Sequence, residues 1–231
     1  PVTYPENTPD VLNENVNDCM TIDVQTENCP IYLGKIVKDV VIKDSPEWMK
    51  ERLMASGIRS INNVVDISNY VMLEYGQPLH FFDKDRLGDK VIVRMANEDE
   101  TLKTLDGQER TLKTSDIVIA NENEAVALAG VMGGLSTEVE MDTKNIFIEA
   151  AIFEPIHIRY TAKTILRSEA SSRYEKSIAP NRCKEALNRA CYLLEKYAGG
   201  KVYDGILTHD TTSKEDKEID ITLEKINAVL G

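Results

Sequence analysis

A few short stretches of this chain place polar or conformationally free residues where chemistry could occur. One runs from Ser68-Asn69-Tyr70 to Gly76-Gln77-Pro78-Leu79-His80. A histidine after a Gly-Gln-Pro turn sits on a loop, where near neutral pH it can donate to or accept from a substrate or a water; many loop histidines are merely exposed. Pattern alone reads Ser68 and Asn69 as the solvent face of an amphipathic helix. A second stretch is Gly130-Val131-Met132-Gly133-Gly134. Glycines after a strand let backbone approach a ligand closely, and they equally make a tight turn. No Gly-Lys-Ser/Thr follows, so this is not a phosphate loop. A third candidate is Glu149 in Phe147-Ile148-Glu149-Ala150-Ala151. A carboxylate among such neighbours is costly to bury unless paired or hydrogen-bonded, whereas strand alternation offers a half-exposed sheet face as the milder account. The fourth is Leu166 to Lys176, in which Ser168 or Ser171 can cap a helix and Arg173 and Glu175 can form local ion pairs. By itself it reads as a helix start.

The elements that must hold these residues follow from periodicity and punctuation. Residues 1 to about 27 are polar and read as an extended lead-in. A β-rich run spans Ile31 to Ile42. Ser45-Pro46-Glu47 opens a helix, with Ser45 as its cap and Gly57 as its stop. A second helix is predicted from Asn62 to Tyr75, ended by Gly76. Strands are expected at Val91–Met95, Asp116–Ala120, Ala125–Ala129 and Asn145–Ala150, and Asp106-Gly107 signals a hairpin. Pro180 to Tyr197 carries a helical apolar stripe of Ala186, Leu187, Ala190, Leu193 and Leu194, closed by Gly199-Gly200. This order predicts a mixed α/β (α+β) domain: a mixed or antiparallel sheet with flanking helices. From Thr212 the chain turns charged, and IDITLEKINAVLG opens a new unit.

Composition removes several classes of function. The four cysteines form no C-x-x-C pair and the three histidines have no zinc spacing, so no metal site is expected and the thiols read as reduced, in a cytoplasmic protein. No apolar run approaches the roughly 20 residues of a membrane span, and the start has no signal-peptide pattern. The missing initiator Met reads as a cut or processed chain. The net charge of −12 argues against a broad phosphate-gripping face, so a nucleic-acid partner would be touched only at a short end.

Taken together, the motifs say more than each alone. Tyr32-Leu33-Gly34, Ser60 to Tyr70, Gly76 to Asp83, Leu105-Asp106-Gly107, Gly130 to Gly134, Phe147 to Phe153 and Leu166 to Lys176 occur in one order and resemble the beta subunit of bacterial phenylalanyl-tRNA synthetase. The resemblance covers roughly residues 29–210. It implies a linker from a preceding RNA-binding-like domain at 1–28, a tRNA-editing domain at 29–212, and the truncated start of the following domain at 213–231.

The resemblance also implies an activity: hydrolysis of tyrosine wrongly attached to tRNA(Phe). A hydrophobic pocket rejects an added hydroxyl only by about a hundredfold, so a second site that requires the hydroxyl raises accuracy. By family correspondence Glu149 reads the tyrosine hydroxyl, Gly133 shapes the pocket, and His80 lies near the ester and its water as the catalytic position. Ser168 and Ala170 line the amino-acid pocket, while Ser68 and Asn69 meet the substrate's polar end. Ser68 and Ser168 stand where the family often has Thr, and Ile165 replaces a common Gly. The implied reaction is ester hydrolysis by an oriented water, with His80 as general base or as water holder and the terminal ribose hydroxyl as a further helper. It asks no cofactor of this chain; ATP and Mg would serve the alpha subunit, the partner in a heterotetramer of two alpha and two beta subunits. The competing expectation is a non-catalytic structural or RNA- or amino-acid-binding module of the same synthetase subunit.

Overall fold

The computed structural model of the chain describes residues 3–213 and 218–230. Most of the charged TSKEDKE stretch and the first two residues lie outside the described residues. The chain opens with strands β1 (Val11–Asn15), β2 (Thr21–Val24) and β3 (Ile31–Lys38), then helices α1 (Glu47–Ala55) and α2 (Asn63–Tyr75). Strand β4 (Leu79–Asp83) leads through the single turn α3 (Lys84–Leu87) to β5 (Lys90–Met95) and the small hairpin β6 (Thr101–Lys103) and β7 (Glu109–Thr111). Strands β8 (Ile117–Ala120), β9 (Ala125–Leu128), β10 (Met132–Gly133) and β11 (Ile146–Ile152) follow. Helices α4 (Pro155–Thr164), α5 (Glu169–Tyr174) and α6 (Asn181–Ala198), strands β12 (Lys201–Asp204) and β13 (Leu207–Asp210), and helix α7 (Leu223–Leu230) complete it.

The helices begin and end for local reasons. The Asn62 side chain accepts from the backbone N–H groups of Val64 at 3.0 Å and Val65 at 2.9 Å, and Gly76 ends α2 in the left-handed region at φ 70°. Gly199 ends α6 in the same way at φ 66°. Ser45 does not cap α1: Pro46 takes the cap position, and the Ser45 hydroxyl donates to the buried Asp66 carboxylate. Asp66 also accepts from the Ile61 N–H at 2.9 Å, so the serine joins α1 to α2.

The strands form two main sheets and the separate two-stranded hairpin β6–β7, within the expected mixed α/β class but with more than the one sheet expected. One is six-stranded in the order β1-β12-β3-β11-β4, with β13 pairing another stretch of β3; the second runs β10-β9-β8-β5-β2. Pairing is antiparallel except for β1 with β12 and β2 with β5. Alternation along the central strands decides both cores. Tyr32, Ile36, Phe82, Phe147 and Ala151 point toward the second sheet, where Val91, Val93, Ile119 and Leu128 meet them. Ile31, Leu33, Val37, Phe81, Ile146 and Ile148 point the other way and are covered by α1, α2 and α6. Arg189 of α6 donates to Glu74 of α2 at 2.8 Å and locks the two helices together.

The expected strands and long helices are present, but the lead-in differs from its reading. Its polar segments β1 and β2 are hydrogen-bonded at the ends of the two sheet orders. Such strands escape a hydrophobic-alternation search because few of their side chains are buried. Helix α7 has no buried residue, and among the described residues no helix is long and apolar enough to cross a membrane.

Gly34, in the middle of β3, leaves the space into which the Phe147 ring crosses: a Cβ there would lie 2.5 Å from the ring. Gly34→Ala should therefore lower stability by about 1–3 kcal/mol through overpacking, read as a lower urea midpoint with an unchanged slope. An unchanged midpoint would mean that the Phe147 ring moves aside at little cost.

Candidate active site

The site is built on the middle of β11. In the register of the larger sheet, Glu149 lies opposite Gly34 of β3 on one side and His80 of β4 on the other. The face it shares with Phe147 and Ala151 is not half exposed. The second sheet packs over it, and Glu149 is 4% exposed. Tyr32, fully buried, donates its hydroxyl to Glu149 Oε2 at 2.9 Å. Burial pushes the Glu149 carboxyl up to about 7, against the downward pull of the Tyr32 hydrogen bond. Oε1 accepts no hydrogen bond from the described residues.

His80 is on a strand, not a loop. The turn is confined to Gly76-Gln77-Pro78, and β4 starts at Leu79 because Leu79, Phe81 and Phe82 bury themselves on the two faces of the sheet. The imidazole is partly exposed, stands edge-on to Phe82 with ring centres 4.3 Å apart, and makes no hydrogen bond with the described residues. Burial lowers it to about 4, so it is neutral at physiological pH. Gly133 is what lets the ring fit: a Cβ at this position would lie 2.4 Å from His80 Cε1. The glycine stretch is thus both a turn and a wall. Gly130 turns β9 into β10 at φ 66°, and Gly133 presses its backbone against the histidine.

The remaining candidates gather at the same cavity, of about 340 Å³. Ser68 and Asn69 of α2 line it and are partly buried, so they do not form a solvent face; the Ser68 hydroxyl donates to the Leu79 carbonyl at 3.0 Å, tying α2 to β4. Ser168 caps α5 by accepting from the Ser171 N–H at 3.1 Å, and its hydroxyl donates to the Val131 carbonyl at 3.1 Å, which pins α5 to the glycine turn. Ala170, two residues on, lines the same wall. The ion pairs foreseen for this segment form as Arg173–Glu169 at 2.7 Å and Arg167–Glu175 at 2.6 Å. Ile165 has φ −109° and packs on the core, so nothing in its backbone calls for glycine.

Most of the wall is apolar, from Ile119, Leu128, Met132 and Leu105, with the Tyr174 ring beside them. Leu105 belongs to the hairpin loop, held by its N–H to the Gly133 carbonyl at 3.0 Å. Sequence reasoning gave no part in the site to Tyr32, Tyr174 or Leu105. For Tyr32 the available signal was its place two residues before Gly34 on the face that alternation assigns to the core.

The chemistry available is that of a lone buried carboxyl and a neutral imidazole at one apolar cavity. Among the described residues no group of three or more His, Cys, Asp or Glu is placed to hold a metal ion. Cys183 and Cys191 are pushed up to about 12 by burial, so neither is a thiolate nucleophile.

The B3/4 domain family matches residues 28–199. The phenylalanine–tRNA ligase beta subunit of Staphylococcus aureus (strain USA300) is 52% identical over the whole of this chain, and that of Staphylococcus saprophyticus is 50% identical. The chain spans 29% of the length of those relatives. Among solved structures, an N-terminal fragment of the phenylalanyl-tRNA synthetase beta subunit from Pyrococcus horikoshii shares the fold. Its TM-score is 0.57 at 16% identity, over 97% of this chain and 62% of that one. With most of its length matched by the family and all of it by these subunits, the chain belongs to the B3/4 domain family, in the form found in bacterial phenylalanine–tRNA ligase beta subunits.

Proposed function

We propose that this chain edits for a phenylalanyl-tRNA synthetase, hydrolysing the ester of tyrosine misattached to tRNA(Phe). The observation that best supports this is the Glu149 carboxyl at the floor of an apolar cavity whose volume suits a small aromatic ligand. Tyrosine and phenylalanine differ by one hydroxyl. A floor with an open acceptor oxygen binds the first and leaves a buried polar group unpaired with the second. Depth orders the remaining roles. Glu149 is deepest, His80 is more exposed on the adjacent strand, and Ser68, Asn69, Ser168 and Ala170 lie around the cavity where the amino-acid backbone and ester would sit.

A base titrating near 4 takes a proton poorly at neutral pH, so His80 acts by holding the attacking water with a neutral ring nitrogen rather than by removing its proton. The reaction draws no cofactor from this chain. The acceptor end of tRNA(Phe) enters alone, because an acidic chain offers no broad grip on the rest. The alpha subunit, in a cytoplasmic heterotetramer, charges the tRNA with ATP and Mg and helps hold it.

The decisive assay compares deacylation of tyrosyl-tRNA(Phe) and phenylalanyl-tRNA(Phe), by this chain and by the complete synthetase. Selective release of tyrosine is expected. If neither protein releases it, the catalytic reading fails and a binding or structural module remains. Glu149→Ala should reduce the tyrosine-over-phenylalanine preference roughly tenfold to hundredfold, the worth of a hydrogen bond to a charged group, while the chain still folds.

The preference should also depend on pH. Glu149 ionises as pH rises through about 7, and the carboxylate accepts from a phenol more strongly than the acid does. Discrimination should therefore rise between about pH 6 and about pH 8, and a histidine inflection near the ordinary value should be missing. An inflection there that vanishes in His80→Ala would restore the general-base role. Gly133→Ala should slow tyrosine release by crowding His80, with little change in melting temperature; unimpaired release would remove Gly133 from the site.

A further inference from the structure

We propose that Tyr32 is the residue that sets the specificity of the cavity, by holding one oxygen of Glu149 so that only the other can receive a ligand phenol. The inference rests on the editing reading for its ligand and on the geometry alone for its mechanism. Tyr32 stands across β3 and β11 from Ala151, two residues along from Glu149 and on the same face of the sheet. A diagonal neighbour of this kind is within reach of a long aromatic side chain. The Ala151 methyl leaves room for the ring, and the hydroxyl ends 2.9 Å from Oε2.

Tyr32 is itself a phenol. Its bond to Glu149 is a resident copy of the contact that an incoming tyrosine would make on Oε1. Burial holds the Tyr32 hydroxyl well above the usual phenol range, so it remains a proton donor at every working pH. The buried titratable groups nearest the carboxyl are neutral: the His80 imidazole from β4, the Tyr174 phenol from α5, and the thiol of Cys29 just before β3; the carboxylate of Glu169, which lines the same cavity, is paired with Arg173. No cation among the described residues offsets the charge, so the Tyr32 hydrogen bond is what favours the ionised form against burial. It also fixes the direction of the free oxygen. Without it the carboxyl can rotate, or stay protonated and donate, and the floor loses its preference for a hydroxyl.

Tyr32→Phe keeps the ring and removes only the hydroxyl. The titration of Glu149 is followed by carboxyl ¹³C NMR on the ligand-free chain, and deacylation of both aminoacyl-tRNAs is measured with this chain and with the complete synthetase. The Glu149 midpoint is expected to move up in Tyr32→Phe. Discrimination at neutral pH should fall about tenfold, with part of it regained at higher pH. In a Glu149→Gln background, Tyr32→Phe should change discrimination no further. A variant with lower stability but an unmoved midpoint and unmoved discrimination would make Tyr32 a core residue only. A shifted midpoint with intact discrimination would overturn the specificity role. Should the variant not fold, the wild-type chain decides: the Tyr32 Cζ resonance must titrate with the Glu149 midpoint, and independence of the two overturns the coupling. If the wild-type proteins themselves do not prefer tyrosine, the editing reading and the specificity role fall together. The ligand-free midpoint then still reports whether Tyr32 governs Glu149.

Discussion

A carboxyl group closed between two sheets with no cation beside it is the constraint on which the rest of this structure turns. Burying Glu149 costs free energy, since desolvation works against its charge, and only the Tyr32 hydroxyl works in the other direction. The sheet accommodates the group by keeping its surroundings small. Gly34 opposite it leaves space that the Phe147 ring fills, and Gly133 admits the imidazole of His80. A structural carboxylate would normally be given a cationic partner. Here Glu149 lines a cavity instead, which is the arrangement the proposed acceptor role requires.

The architecture around the carboxyl makes the cavity reachable. β4 lies at the end of the strand order in the larger sheet, so the space beside it opens to solvent where a central strand would be covered on both sides. Helices α2 and α5 frame that space. Each is tied by a serine hydroxyl to a backbone carbonyl of a segment lining it, Ser68 to Leu79 and Ser168 to Val131. These bonds fix the frame to the floor, so the distance from carboxyl to mouth is set by backbone rather than by mobile side chains. In both ties it is the serine hydroxyl that makes the bond.

Much of this was legible in the residues. The cap at Asn62, the stop at Gly76, the apolar stripe of α6, the hairpin at Asp106-Gly107 and the strand around Glu149 each follow from a few adjacent residues. The family motifs also brought together Ser68, Asn69, His80, Gly133, Glu149, Ser168 and Ala170, and all of them line one cavity. Other features escaped for identifiable reasons. The Gly-Gln-Pro turn hid the strand that begins immediately after it, so His80 read as a loop residue. Polarity hid β1 and β2, whose pairing depends on partners far along the chain. Ser45 looked like a cap because its spacing was right, yet the buried Asp66 competes for its hydroxyl more strongly than the helix end does.

By itself the sequence determined what short-range physics controls: where helices start and stop, which turns need glycine, which faces are apolar, and which polar groups interrupt them. It could not decide whether the Glu149 face is covered, because that depends on a second sheet built from other strands. Nor could it place His80 beside Glu149, or the Tyr32 hydroxyl on its carboxylate. Both follow from the register of β3, β11 and β4, in which a slip of one residue would turn every one of these side chains to the opposite face. The tertiary structure selects that register by burying two large apolar sets on opposite sides of one sheet at once. This is a collective condition that no local window of residues contains.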